Sequence, residues 1–144
     1  MGKRAEICGV GQVAPGGAAR LRERLPRLQA QISHHERRLG LTHDFRLFLF
    51  DGDTRLWFGF TYDGEFCTWL ADLCDKSPGW LDSLFDGVWE GFPGATSPFL
   101  NAFLRQHLIG AELFFTAFPE ASRHDIDKAL RGREALGVLL DAIS

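Results

Sequence analysis

Arg46 stands in the middle of an alternating, aromatic-rich run, T-H-D-F-R-L-F-L-F over residues 42–50. A guanidinium in such a setting offers a fixed fork of donors to a carboxylate, a phenolate or an enolate. The competing reading is an ion pair with Asp44, Glu112 or an acid of a partner chain, because an unpaired buried arginine is costly. Glu112 lies in a second alternating run, G-A-E-L-F-F-T-A-F over residues 110–118. Apolar neighbours there would raise its pKa toward that of a general base, and it is equally suited to be the counter-charge of Arg46. His43 can carry protons near neutral pH or ligate haem iron, against the plainer reading of a satisfied histidine at a strand end. His107 ends a predicted helix, where a cation is favourable in its own right. His124 reads as surface, and His34-His35 as a solvated helix end rather than a metal site.

The element that positions Arg46 is a predicted hairpin, Thr42 to Tyr62. Two aromatic runs flank Asp51-Gly52-Asp53-Thr54, and Gly-X at the centre of a two-residue loop suits a type II′ turn. Pairing Asp51 with Thr54 sets Leu49 against Leu56, Leu47 against Phe58, Phe45 against Phe60 and His43 against Tyr62. Alternation makes those pairs one apolar face. The other face pairs Phe50 with Arg55, Phe48 with Trp57, Arg46 with Gly59 and Asp44 with Thr61. Large aromatics beside an arginine and an aspartate suit a pocket or a subunit interface. Gly59 leaves space for a ligand in this reading, and Phe48, Trp57, Thr61, Trp89 and Phe114 line the substrate site.

The remaining chain supplies the frame. Residues 5–13 read as a strand ended by Pro15-Gly16-Gly17. A helix follows with Ala18, Leu21, Leu25, Leu28, Ile32 and Leu39 on one stripe, kinked or divided at Pro26. Asp63 is the expected N-cap of a helix carrying Phe66, Trp69, Leu70 and Leu73 inward. A shorter helix runs through Trp80, Leu81, Leu84 and Phe85. A strand is expected over 87–92, a helix over 98–108 after Ser97-Pro98, and a last strand over 110–118. Ser122-x-x-Asp125 marks a capping box opening a C-terminal helix to about residue 143, with Ile126, Leu130, Leu136, Leu140 and Ile143 on its apolar stripe. The first six elements, β-α-β-β-α-β, give a single α+β domain with a ferredoxin-like antiparallel sheet and helices on one face.

Several features resemble the dimeric α/β-barrel superfamily, and within it small bacterial ferredoxin-like proteins of largely unassigned function. They are the strand with His43 and Arg46, Leu56-Trp57-Phe58, Tyr62-Asp63-Gly64 and Trp89-Glu90-Gly91-Phe92-Pro93. The resemblance implies a homodimer whose second copy covers the open sheet face. It also implies a chemistry drawn from cofactor-free oxygenases, cyclases or haem-using enzymes.

Composition narrows the classes. The chain has 144 residues and a net charge of −3, without the basic footprint of a nucleic-acid binder. Arginine far outnumbers lysine, a usage that points to a GC-rich bacterial genome. Cys8, Cys67 and Cys74 are odd in number and lack C-x-x-C spacing, as expected of reduced thiols in a cytoplasmic protein. No apolar run reaches the ~18 residues of a membrane span. No Gly-rich phosphate loop, H-E-x-x-H or G-x-S-x-G is present, so no metal and no cofactor is expected, with haem as the alternative. The leading reading is a cyclase or cofactor-independent monooxygenase acting on an aromatic or polyketide-like small molecule. Arg46 would stabilise the developing anion while Glu112, Asp44 or His43 moves protons. The alternatives are a haem enzyme using His43 or His107, and a non-catalytic binding or assembly module.

Overall fold

The structure, a computed structural model, describes residues 3–32 and 39–144. The reading of His34 and His35 therefore lies outside the described residues. The elements are β1 (Arg4–Gln12), α1 (Gly17–Ala30), β2 (Thr42–Phe50), β3 (Arg55–Asp63), α2 (Phe66–Lys76), α3 (Pro78–Phe85), α4 (Leu100–His107), β4 (Leu108–Ile109) and α5 (Arg123–Ile143). The protein is α+β, with a four-stranded antiparallel open sheet in the order β2-β3-β1-β4.

The hairpin follows from alternation. Leu49 faces Leu56, Leu47 faces Phe58 and Phe45 faces Phe60, while Phe48 faces Trp57, Arg46 faces Gly59 and Asp44 faces Thr61. At the open end the expected pairing of His43 with Tyr62 is replaced by Thr42 with Tyr62, and the register shifts between Thr42 and Asp44. His43 is the extra residue of this bulge, and bulges re-aim side chains. The turn also differs from type II′. Asp51, Gly52 and Asp53 have φ of 56°, 61° and 65°, so three successive residues are left-handed. Type II′ needs positive φ only at its first central residue, and the ladder closes at Phe50 with Arg55. A bidentate contact from Arg22 to Asp53 at 2.6 and 2.8 Å ties the tip to α1.

One sheet face is the core. Leu56, Phe58, Phe60 and Ile7 pack with Leu21 and Leu28 of α1, Trp69 and Leu73 of α2, Trp80 and Phe85 of α3, and Leu100 and Leu104 of α4. Pro26 neither divides nor ends α1, which is one helix to Ala30.

Three further expectations are corrected. Residues 87–92 form turns with a single bridge, Val13 to Trp89, rather than a strand, since Gly87 and Gly91 take φ of 71° and 81°. The last strand is only Leu108–Ile109. Its pairing of Cys8 with Ile109 would bring Leu113 opposite Arg4, yet Arg4 N donates to Pro119 O at 2.9 Å, so some six residues are looped away from the edge. The C-terminal helix keeps its capping box, Ser122 Oγ accepting from Asp125 N and Asp125 Oδ2 from Ser122 N, both at 3.1 Å. Its apolar stripe, however, buries nothing in the protomer.

Candidate functional site

Two surfaces meet along β2, the edge strand. The first is the open sheet face, where the indole of Trp57 stacks on Phe48 with centroids 4.9 Å apart and planes 17° apart. The Arg46 guanidinium lies 5.4 Å from the Trp57 ring, and that of Arg55 lies 4.9 Å from Phe50. Trp57 also occupies the space over Gly59: a Cβ there would stand 2.5 Å from the indole Cη2. The missing side chain of Gly59 thus admits tryptophan rather than a ligand, correcting the expectation from sequence. Arg46 is exposed rather than buried, and it makes no ion pair among the described residues.

The second surface is a cleft of about 860 Å³ between α1 and β2. Its walls are Leu21, Leu25 and Leu28 on one side, Phe45, Leu47 and Leu49 on the other, with Trp80 and Leu84 from α3. Its volume and apolar lining are those of small-molecule sites, which typically span ~300–1,000 Å³. Thr42, His43, Asp44 and Arg123 gather at one end, and Arg46, Gln29 and Arg22 stand elsewhere along its lining.

His43 is the fixed point of that end. Asp63, the last residue of β3, is buried, and its Oδ1 lies 2.7 Å from His43 Nε2. Its Oδ2 accepts from Arg123 N at 2.8 Å. The ionised carboxylate can only accept, so Nε2 carries a hydrogen, and Nδ1 is the ring nitrogen that Asp63 leaves unengaged. Asp63 was expected to cap α2; Glu65 holds that position instead, and Asp63 is drawn into the bulge and the start of α5. Arg123 Nη1 adds a bond to Leu39 O at 2.6 Å, closing this corner.

The sequence-predicted residues divide accordingly. His43, Asp44, Arg46 and Phe48 line the cleft. Trp57 and Thr61 lie behind Arg46 on the open face, and the Thr61 hydroxyl has no hydrogen-bond partner. Glu112 and Phe114 are exposed in the looped-out segment beyond β4. β2 and β4 are the two edges of the sheet, separated by three strand spacings of about 4.8 Å, roughly 14 Å in all. Glu112 therefore neither pairs with Arg46 nor shares a pocket with it in one protomer. Trp89 faces the core, 1% exposed, and cannot line an open-face site. Asp63 and Arg123 were not read as site residues, because their role depends on bringing together β2, β3 and the start of α5.

Each histidine weighed as a haem ligand has one ring nitrogen engaged by the protein. The Nε2 of His43 is held by Asp63 Oδ1. His107 donates Nδ1–H to Phe103 O at 2.7 Å, with its ring against Trp89 and Phe103.

Away from the cleft, Cys67 near the start of α2 accepts from Arg105 Nη2 at 3.4 Å and from Asn101 Nδ2 at 3.6 Å. These bonds, the arginine's first, hold its thiol pKa below the ordinary value, while burial pushes Cys8 and Cys74 up. Arg105 is itself fixed by Asn101 Oδ1 at 2.7 Å and by the ring of Phe66. A lowered pKa means more thiolate at neutral pH. Iodoacetamide is expected to label Cys67 ahead of the other two, with its rate extending to lower pH. Equal rates at all three cysteines, read by peptide mass spectrometry, would show that the guanidinium is not held there.

Comparison with protein families, with characterised proteins and with solved structures finds no match to this chain.

Proposed function

We propose that this chain is a small-molecule enzyme that binds a planar, apolar-bodied anion in the cleft beside β2. The strand order β2-β3-β1-β4 and the crossover through α1 support a ferredoxin-like reading of the fold. The observation that carries the function is the meeting, in one apolar cleft, of an exposed guanidinium without an ion pair among the described residues and a histidine oriented by a buried carboxylate. Arg46 takes the carboxylate, phenolate or enolate, and Phe48 and Phe45 hold the ring. His43 Nδ1 accepts a proton from the bound molecule, and Asp63 supports the imidazolium that forms. Proton abstraction with stabilisation of the resulting enolate or phenolate is the step shared by cyclases and cofactor-independent oxygenases, the two reaction types this site suits.

Naphthoate is a suitable probe, followed by calorimetry or by the fluorescence of Trp80 in the cleft wall. Arg46→Ala is expected to weaken it about tenfold or more, since a charge-assisted pair is lost. The melting curve should barely move, because Arg46 is exposed and leaves no buried acid behind. Unchanged naphthoate affinity, or a large drop in melting temperature, would overturn the assignment of Arg46 to a ligand.

A further inference from the structure

The protomer exposes more surface than its mass accounts for. Its accessible area is 9049 Å² at 16.2 kDa. A compact monomer of that mass exposes about 7,450 Å², leaving an excess of roughly 1,600 Å². The excess is concentrated at one end of the chain. Among the described residues, eleven of the fifteen exposed large hydrophobic side chains lie between Leu113 and Ile143. On the open sheet face, by contrast, only Phe48 and Ile109, each 50% exposed, stand out. The arm consists of the looped-out segment after β4, with Leu113 and Phe115 at 88% and 82%, and then α5, whose Leu136 and Leu140 are about half exposed.

We infer that this arm binds a second copy of the chain, with α5 of one protomer lying along the mouth of its partner's cleft. Three observations favour a second copy over another occupant. A standard interface takes about 800 Å² from each partner, and the excess area supplies that with room to spare. The 21 residues of α5 measure about 31 Å at 1.5 Å per residue, and the nine of β2 measure about 30 Å, so helix and cleft wall match in length. Among the described residues, the apolar stripe of α5 has no partner and the cleft beside β2 has no cover, so a two-fold pair satisfies both at once. Of α5 only Arg123 lines the cleft of its own protomer. Arg123 sits at the cleft's end, so α5 starts beside the site and projects from it.

The inference rests on the cleft reading for its second half: the partner's helix turns an open cleft into an enclosed one, so the site is complete only in the dimer. Light scattering on the full chain is expected to give twice 16.2 kDa. Leu136→Asp with Leu140→Asp should yield a folded monomer, whereas Lys128→Asp, a charge change of similar size at another position of α5, should leave the dimer intact. Contact is checked by mixing two cysteine variants, Gln29→Cys and Leu136→Cys, each with the three native cysteines changed to serine. Oxidation should link one chain to the other. A monomeric full chain, or a dimer in which the two unlike variants do not link, would overturn the inference. Naphthoate should bind the Leu136→Asp, Leu140→Asp monomer about tenfold more weakly. Unchanged affinity would overturn the closure of the site. If the cleft reading itself is at fault, naphthoate binding to the intact dimer will ignore both Arg46→Ala and His43→Ala, a result that leaves the cross-link unaffected.

Discussion

Trp89→Ala is expected to destabilise the protein by about 3–5 kcal/mol, the cost of deleting a large, fully buried ring. The indole is 1% exposed and lies among Phe58, Phe85, Phe103 and His107, with centroids 4.7–5.3 Å away. Those neighbours are held by β3, α3 and α4, which are not free to collapse into the hole, so the cavity term persists. The indole N–H has no hydrogen-bond partner, so nothing polar is lost to offset or enlarge the effect. A Cβ on Gly11 would collide with that nitrogen, which shows how closely β1 packs on the ring. At this chain length the loss corresponds to a fall of roughly 10 °C or more in melting temperature. Trp57→Ala serves as the contrast. Its ring lies on the open face over Gly59 and against Phe48, so the fall should be only a few degrees. Equal falls in the two variants would mean that the sheet's faces have been assigned the wrong way round.

The two tryptophans also show where the sequence was legible. Alternation over Phe45–Phe50 and Arg55–Phe60 fixes register and faces, because a one-residue slip would expose the whole apolar set. Trp57 was therefore placed on the correct face. Residues 87–92 read as a strand from sequence, yet Gly87 and Gly91 turn the chain on either side of Trp89, and no alternation says which way it points. A similar gap separates Arg46 from Glu112. Each lies in an alternating run, but their separation depends on strand order, which no local pattern carries. The capping box at Ser122 was legible because it is local. That no side chain of the helix behind it is fully buried in its own protomer was not, because an amphipathic stripe looks the same whether it faces a core or a partner. In the candidate site, His43, Asp44 and Arg46 could be singled out by residue type. The bulge that turns His43 toward Asp63 could not, since one extra residue in a strand leaves little trace in composition.

Asp63→Ala is expected to cost roughly 3–5 kcal/mol, because it strands two buried donors that converge on one carboxylate. The side chain is 2% exposed and joins three elements distant in sequence: β3, which it ends; β2, through His43 Nε2 at 2.7 Å; and α5, through Arg123 N at 2.8 Å. Without it the bulge loses the group that holds its extra residue, and the helix loses its attachment beside the cleft. Asp63→Asn should be nearly as damaging. An amide offers one acceptor oxygen to two donors, so its own N–H₂ must face either the imidazole N–H or the Arg123 N–H. Chemical denaturation of the single variants and of His43→Ala with Asp63→Ala closes a thermodynamic cycle. A coupling of about 1–3 kcal/mol is expected, because once the carboxylate is gone the histidine has less to lose. Additive losses would mean that His43 and Asp63 do not act as a unit. Nδ1 of His43 would then have no fixed orientation toward the cleft, and proton transfer there would lose its physical basis.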